Sequence, residues 1–356
     1  MEKILKKFKD WFLDLGDERV AVMCHWDADG LSSGIIALKA VQRLQGNENK
    51  FVFMQKEREP TAELIEYLDE NKIDRLIVTD IALGNDVEKL QKVLSRVKVL
   101  IIDHHLTDDA ELEGITYINS RDVESWVEEP ARYPASKLCF DCFNSLVDIN
   151  DLDWLAAYGI VGDFAIDYWR EFYEGTIAKY KFTNEEFKLG NHYIGSASPL
   201  GFERIYEAFW MLYEMNGPSE VLEKMIGSYN LVQTELDAID ASFSDEVNKM
   251  GRLYVYEINT QYELVSVAAT MLSVNRIDPS ETLVTINVGA GGDECSVSAR
   301  CQSMDIPVNE LLKGATKDIG ARAGGHKVAA GGTIKTKDLE RFKKNLIRVY
   351  TELESK

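Results

Sequence analysis

The sequence predicts an α/β protein. A mostly parallel, Rossmann-like sheet with flanking helices comes first, then a helical connector, then a smaller C-terminal α/β domain. Three observations predict this. Short apolar runs alternate with helix-patterned segments over the first 165 residues, as in βαβ units. The runs are almost continuously apolar, as strands buried on both faces are. After about residue 251, strand-like runs return beside a cluster of glycines. The expected divisions are therefore 1–165, 166–250 and 251–356.

In order, RVAVMCHW (19–26) is an apolar run, and LSSGIIALKAVQRL (31–44) has helical spacing. KFVFMQ (50–55) reads as a strand and TAELIEYLDEN (61–71) as a helix. DRLIVTDI (74–81) is the next strand and ends near Asp80. NDVEKLQKVLSR (85–96) follows as a helix with Asn85 placed to cap it. VKVLIIDHH (97–105) and ITYINS (115–120) complete the strands. Residues 136–230 carry apolar residues at helical spacing, and 217–250 reads as one long helix ending the first unit. RLYVYEIN, YELVSVAATML and ETLVTINVG then predict strands around a short helix.

The 356 residues, 45% of them hydrophobic, suffice for two domains with cores of their own. No apolar run is long enough to span a membrane. The charged, amphipathic start lacks the pattern of a signal peptide, so the expected location is cytoplasmic, with no membrane partner. Five scattered cysteines argue against a disulfide framework. Cys139 and Cys142 lack a second pair and read as helix packing. The net charge of −20 disfavours tracking along long nucleic acid, which ordinarily needs a basic surface.

In an open α/β sheet, ligands bind beyond the carboxyl ends of the strands. Those ends carry His25, Asp27 and Asp29, then Asp80, then Asp103, His104 and His105, and GIVGDFA adds Asp163. In extended backbone the alternation of His25, Asp27 and Asp29 would turn all three to one side. Carboxylates so crowded need a cation. Two divalent metals would meet that need, and the mixed imidazole–carboxylate set suits Mn²⁺, with Mg²⁺ or Co²⁺ as substitutes.

DADG, the Asp of VTDIA, DHH and the Asp of IVGDF together resemble the four motifs of the DHH phosphoesterase superfamily. Its members include RecJ-like exonucleases, small-oligonucleotide nucleases and cyclic-dinucleotide phosphodiesterases. SVSARC with ARAGGHKVAAGGTI resembles the DHH-associated substrate domain. The resemblance spans about 20–165 and 250–345. It implies that His25, Asp27 and Asp80 hold one metal, and Asp29, Asp80, His104 and Asp163 the other. It also implies that Asp103 orients an imidazole, that His105 faces the phosphate, and that Arg300, Gly324, Gly325 and His326 hold substrate. One departure concerns the first motif, where many members have a histidine four residues before the first Asp. Here that position is Met23, and His25 stands two before it. Arg322 and Lys327 are neighbours of Gly324, Gly325 and His326 that could add charge there, with exposed surface the plainer reading for both, and His192, outside the matched motifs, reads as a surface or packing histidine.

The expected function is hydrolysis of short single-stranded nucleic acid by two-metal activation of water. The alternatives are a cyclic-dinucleotide phosphodiesterase or nucleotide 3′-phosphatase, and an inactive scaffold, which the full set of motif acids disfavours. Short oligonucleotides or nucleotides are the expected partners, and homo-oligomerisation stays open.

Overall fold

The computed structural model describes residues 2–55, 60–81, 87–105, 114–123, 129–289 and 292–355. Asn85, the expected helix cap, lies outside them. The chain divides into two units, Met1–Ser198 with Phe202–Gly227, and Pro199–Gly201 with Ser228–Lys356.

The first unit opens with α1 (Glu2–Trp11), β1 (Val20–Cys24), α2 (Ala28–Gln45), β2 (Val52–Met54) and α3 (Ala62–Glu70). It continues through β3 (Arg75–Thr79), α4 (Val87–Leu94), β4 (Lys98–Asp103) and β5 (Ile115–Asn119). The strands form one parallel sheet in the order β2-β1-β3-β4-β5. Every residue of β1 and β3 is buried, which explains their unbroken apolar sequences. On one face, Ala21, Met23, Leu76, Val78, Val99 and Ile101 pack with Leu64, Leu68, Leu90 and Val93 of α3 and α4. On the other face α2 lies against β1, and α5 (Ala135–Asn144) lies against β4.

Three polar devices set the ends of these elements. Thr61 caps α3 by accepting the Leu64 N–H at 3.2 Å, and Gly46 ends α2 in the left-handed conformation. Arg75 is almost wholly buried at the start of β3, where its guanidinium binds Glu18 and the carbonyls of Trp11, Leu13 and Asp14. A buried guanidinium needs every donor satisfied, and this one ties the segment after α1 to the sheet.

The unit is completed by α6 (Asp153–Gly162), α7 (Arg170–Tyr180), α8 (Asn184–Gly195), α9 (Phe202–Glu214) and α10 (Ser219–Lys224). The single long helix expected over 217–250 is two helices, broken at Met225. The second, α11 (Ile226–Glu246), belongs almost wholly to the second unit and does not end the first. Its Val232, Leu236, Ile239 and Phe243 recur at helical spacing and pack on Tyr254, Tyr256 and Ile258. That apolar stripe assigns the helix to the C-terminal core.

The second unit contains β6 (Asn248–Met250), β7 (Leu253–Ile258), α12 (Val265–Asn275), β8 (Thr282–Asn287) and β9 (Glu294–Arg300). Then come α13 (Val308–Thr316), β10 (Arg322–Gly325), β11 (Ala329–Lys335) and α14 (Leu339–Glu354). Its sheet runs β10-β11-β9-β8-β7-β6 and is mixed, with β7 and β8 parallel and the other pairs antiparallel. All five cysteines are buried and free. Among the described residues no helix is long and apolar enough to cross a membrane.

Candidate metal centre

The strand order reverses direction between β1 and β3. In such sheets the crevice at that point, beyond the carboxyl ends, is the natural ligand site. Four motif segments meet there. His25 and Asp27 follow β1, Asp80 follows β3, and His104 and His105 follow Asp103, the last residue of β4. Asp29 lies in the first turn of α2, and Asp163 caps the end of α6.

The backbone at the first motif is not extended. β1 stops at Cys24, and Asp27 is the N-cap of α2, its carboxylate accepting the Gly30 N–H at 2.9 Å. Alternation therefore does not align the three groups. Asp27 Oδ2 lies 2.9 Å from His25 Nδ1, whereas Asp29 leaves through the helix and enters a different pocket. A cap followed by a helical turn explains this, because the turn rotates residue 29 away from residue 27. Gly30 is required by close approach, since a Cβ there would stand 2.5 Å from the His25 carbonyl oxygen.

Asp29 is almost fully buried at the N-terminus of α5. Its two oxygens accept the backbone N–H groups of Ala135 at 2.7 Å and Ser136 at 3.0 Å. The end of a helix favours a negative charge there. A Cβ on Gly159 of α6 would lie 1.9 Å from Ser136 Oγ and 2.2 Å from Asp29 Oδ1, so glycine is what admits the carboxylate.

Asp80 is the hub. It has a left-handed backbone, φ +59°, which Asp tolerates better than most side chains. It is 2% exposed. Oδ1 lies 3.3 Å from His104 Nε2 and 3.8 Å from His105 Nδ1, and Oδ2 lies 3.7 Å from His25 Nδ1. His104 Nε2 is also 3.5 Å from Asp163 Oδ2. His104 Nδ1 sits 3.1 Å from the Ala131 carbonyl. A carbonyl only accepts, so that nitrogen carries the proton and Nε2 is the one facing the acids. Asp103 is fully buried. It receives His105 Nδ1 at 2.7 Å and the Tyr117 hydroxyl at 3.2 Å.

The electrostatics divide these acids into two kinds. Burial, then the neighbouring carboxylates, hold Asp80 well above the ordinary value and push Asp163 up to about 9. Burial also raises Asp29. For Asp27 burial works upward too, but the adjacent His25 and the Gly30 N–H outweigh it and bring the group to about 2. Asp103 is likewise lowered, because contact with His105 outweighs burial. Asp80 Oδ1, Asp163 Oδ2 and His25 Nδ1 are buried and make no aligned hydrogen bond among the described residues. Donor atoms within 4.8 Å of one another form three groups. These are His25, Asp27 and Asp80; Asp29, His104 and Asp163; and Asp80, Asp103, His104 and His105. Buried, partnerless oxygens and an imidazole nitrogen are a donor set that fits divalent cations.

In the second unit, Arg300 ends β9 opposite Ala329 of β11, and Ala330 pairs with Gly325 of β10. The sheet thus brings Arg300, Gly324, Gly325 and His326 to one corner. The Arg300 guanidinium donates to Ser298 Oγ at 2.8 Å, Ser266 Oγ at 2.9 Å and Thr270 Oγ1 at 3.1 Å. All three partners are neutral. Gly325 has φ +136°, and a Cβ there would stand 2.6 Å from the Ala329 carbonyl oxygen. Space beside Gly324 is open, and His326 is exposed on the turn, its N–H bonded to the Ala329 carbonyl at 2.8 Å.

The first unit is thus an all-parallel sheet with acids and imidazoles at its switch point, and the second is a mixed sheet with an arginine and a glycine pair at one corner. The DHH family N-terminal domain matches residues 19–151, and the DHHA1 domain matches residues 251–352. The chain belongs to the DHH phosphoesterase superfamily and has a C-terminal DHHA1 domain.

Among solved structures, the chain is similar to exonuclease RecJ bound to manganese, at 18% identity and a TM-score of 0.71 over 96% of this chain and 93% of that one. It is similar to RecJ of Thermus thermophilus in complex with Mn²⁺, at 17% identity and a TM-score of 0.69, covering 98% of this chain and 55% of that one. It is also similar to an exopolyphosphatase-related protein from Bacteroides fragilis, at 14% identity and a TM-score of 0.52 over 99% and 98%. No curated protein sequence matches. At these identities the likeness is one of fold.

Proposed function

We propose that the chain is a divalent-metal-dependent phosphodiesterase acting on short single-stranded nucleic acid. The observation that carries this reading is the buried Asp80 carboxylate, which lies within 4 Å of His25, His104 and His105 and has an oxygen without a hydrogen bond. His25, Asp27 and Asp80 would hold one ion. Asp29, Asp80, His104 and Asp163 would hold a second, with Asp80 shared. When bound, such a pair neutralises the crowded acids, makes water easier to deprotonate and stabilises charge on phosphoryl oxygens. Mn²⁺ is the ion proposed, and the manganese-bound relatives of like fold support it.

The protein's own groups supply orientation. The Ala131 carbonyl sets the His104 ring, and the α5 N-terminus sets Asp29. Asp103 accepts from His105 Nδ1, so the Nε2 end of that ring is assigned to the substrate phosphoryl oxygen, to which it donates a hydrogen bond in the imidazolium form, the only form with a proton on both nitrogens. Arg300, Gly324, Gly325 and His326 are assigned to the rest of the substrate, with the arginine fork and glycine N–H groups suited to phosphate. The net charge of −20 favours short chains over long ones.

The test is hydrolysis of labelled two-, five- and twenty-nucleotide RNA and DNA, cyclic di-AMP and a nucleoside 3′,5′-bisphosphate, with Mn²⁺, by wild type and Asp80→Ala. The expected result is cleavage of the short chains by wild type and none by the variant. Undiminished activity in the variant overturns the two-metal reading, and preference for the cyclic dinucleotide or bisphosphate replaces the substrate.

A further inference from the structure

The helix that delivers Asp163 ends in an unusual way. Phe164 N–H bonds the Val161 carbonyl at 3.2 Å, and Ala165 N–H bonds the Ile160 carbonyl at 2.9 Å. This is a Schellman closure, in which the residue after the cap is left-handed and is usually glycine. Here that residue is Phe164, with φ +55°. A bulky side chain in that conformation is strained. Burial does not compensate, because Phe164 is 84% exposed. Strain held without a packing return points to use by a ligand.

Phe164 and Gly162, the residues on either side of Asp163, line a cavity of about 790 Å³ formed with α7 and α8. That volume falls in the range of small-molecule sites, about 300–1,000 Å³. Tyr173 and Ile177 also line it, as do Lys188, Asn191 and His192. Asn191 Oδ1 is buried without a hydrogen-bond partner. The charges along the wall balance, since Arg170 is paired with Asp167 and Glu174, and Lys188 adds one cation. A phosphate would call for a basic wall. A neutral, planar heterocycle bearing a donor N–H suits the aromatic ring, the balanced charge and the lone amide oxygen.

We propose that this cavity seats a nucleobase of the substrate, with Phe164 as the stacking face and Asn191 Oδ1 as acceptor of a base N–H. The proposal rests on the nucleic-acid phosphodiesterase reading and names a specificity site for it. Two probes test it, namely a fluorescein-labelled five-nucleotide DNA and the same chain with tetrahydrofuran in place of every base. Equilibrium binding is measured by anisotropy without metal, and kcat/KM with Mn²⁺. Wild type should prefer the base-bearing chain. Phe164→Ala should lower both quantities for that chain by about 5- to 100-fold, the range of one lost stacking contact, and leave the abasic chain within twofold. Phe164→Gly should show the same loss yet melt no lower than wild type, since glycine suits the backbone there. Equal losses on both probes, or no loss on either, overturns the base site. Absence of hydrolysis by wild type would sink the phosphodiesterase reading instead, and the binding comparison would still decide the base site.

Discussion

Substituting Gly159 by alanine tests whether the α5 N-terminus builds the second metal group. The added Cβ would sit 1.9 Å from Ser136 Oγ and 2.2 Å from Asp29 Oδ1, far inside contact distance. Asp29 must then leave the Ala135 and Ser136 N–H groups, which it holds at 2.7 and 3.0 Å. Hydrogen bonds to a charged group contribute about 1.5–3 kcal/mol each, so losing two costs about 3–6 kcal/mol. At the lower figure, Tm of a unit this size falls by about 6–12 °C. Displacing a metal ligand from its support typically weakens metal binding about 10- to 100-fold. Calorimetry should show both effects, with the binding loss confined to one of two Mn²⁺ sites. Gly175 supplies the control. It also lies inside a helix, but a Cβ there meets nothing within 4 Å. Gly175→Ala should stabilise by about 0.5–1 kcal/mol and leave metal binding unchanged. A Gly159→Ala protein with wild-type Tm and two intact Mn²⁺ sites would refute the reasoning.

Two further outcomes concern protons and positioning. Asp163 is raised to about 9, and Asp29 and Asp80 are raised by burial, from an ordinary value of 3.8. Between that value and their folded values, the folded protein holds more protons than the unfolded chain, so stability falls as pH rises through this window. Asp27 and Asp103 have the opposite sign: their stabilisation is present above 3.8 and lost as pH falls. Melting in EDTA should therefore decline from about pH 5 to about pH 9, and Mn²⁺ should flatten that decline. A flat EDTA profile would contradict the buried acids. Asp103→Asn should lower kcat about 10- to 100-fold with little change in KM, since Asp103 itself touches no substrate and orients the His105 ring toward the charge that develops on the phosphoryl oxygen. In a His105→Ala background the same change should add little, and full additivity in steady-state kinetics would show that the two act separately.

Strand ends are legible because parallel strands buried on both faces leave little doubt where apolar sequence stops. His104, His105, Asp103 and Asp80 all follow such stops. At the first motif the alternation predicts a strand where Asp27 in fact begins a helix. An Asp immediately before a helical pattern is the signal that points the other way. The supports are harder to see. The Ala131 carbonyl and the Ala135 and Ser136 N–H groups are backbone atoms, which no side-chain pattern marks, although Pro134 ahead of small residues hints at a helix start. Gly159 reads as an ordinary helical glycine until its neighbour across the fold is known. Tyr117 lies on a strand like any other core aromatic. The division of α10 from α11 depends on which core receives the apolar stripe, and that is a tertiary choice.

The strand lengths carry one more consequence. Three of the four sheet edges are stubs, namely three-residue β2 in the first sheet and three-residue β6 and four-residue β10 in the second, and the fourth edge, β5, has five residues. Open sheet margins are where separate copies of a protein can add strand to strand and aggregate. Stubs this short offer too few backbone groups to template such growth. With a net charge of −20 to keep copies apart, the protein should stay dispersed at concentrations where longer margins would nucleate fibrils.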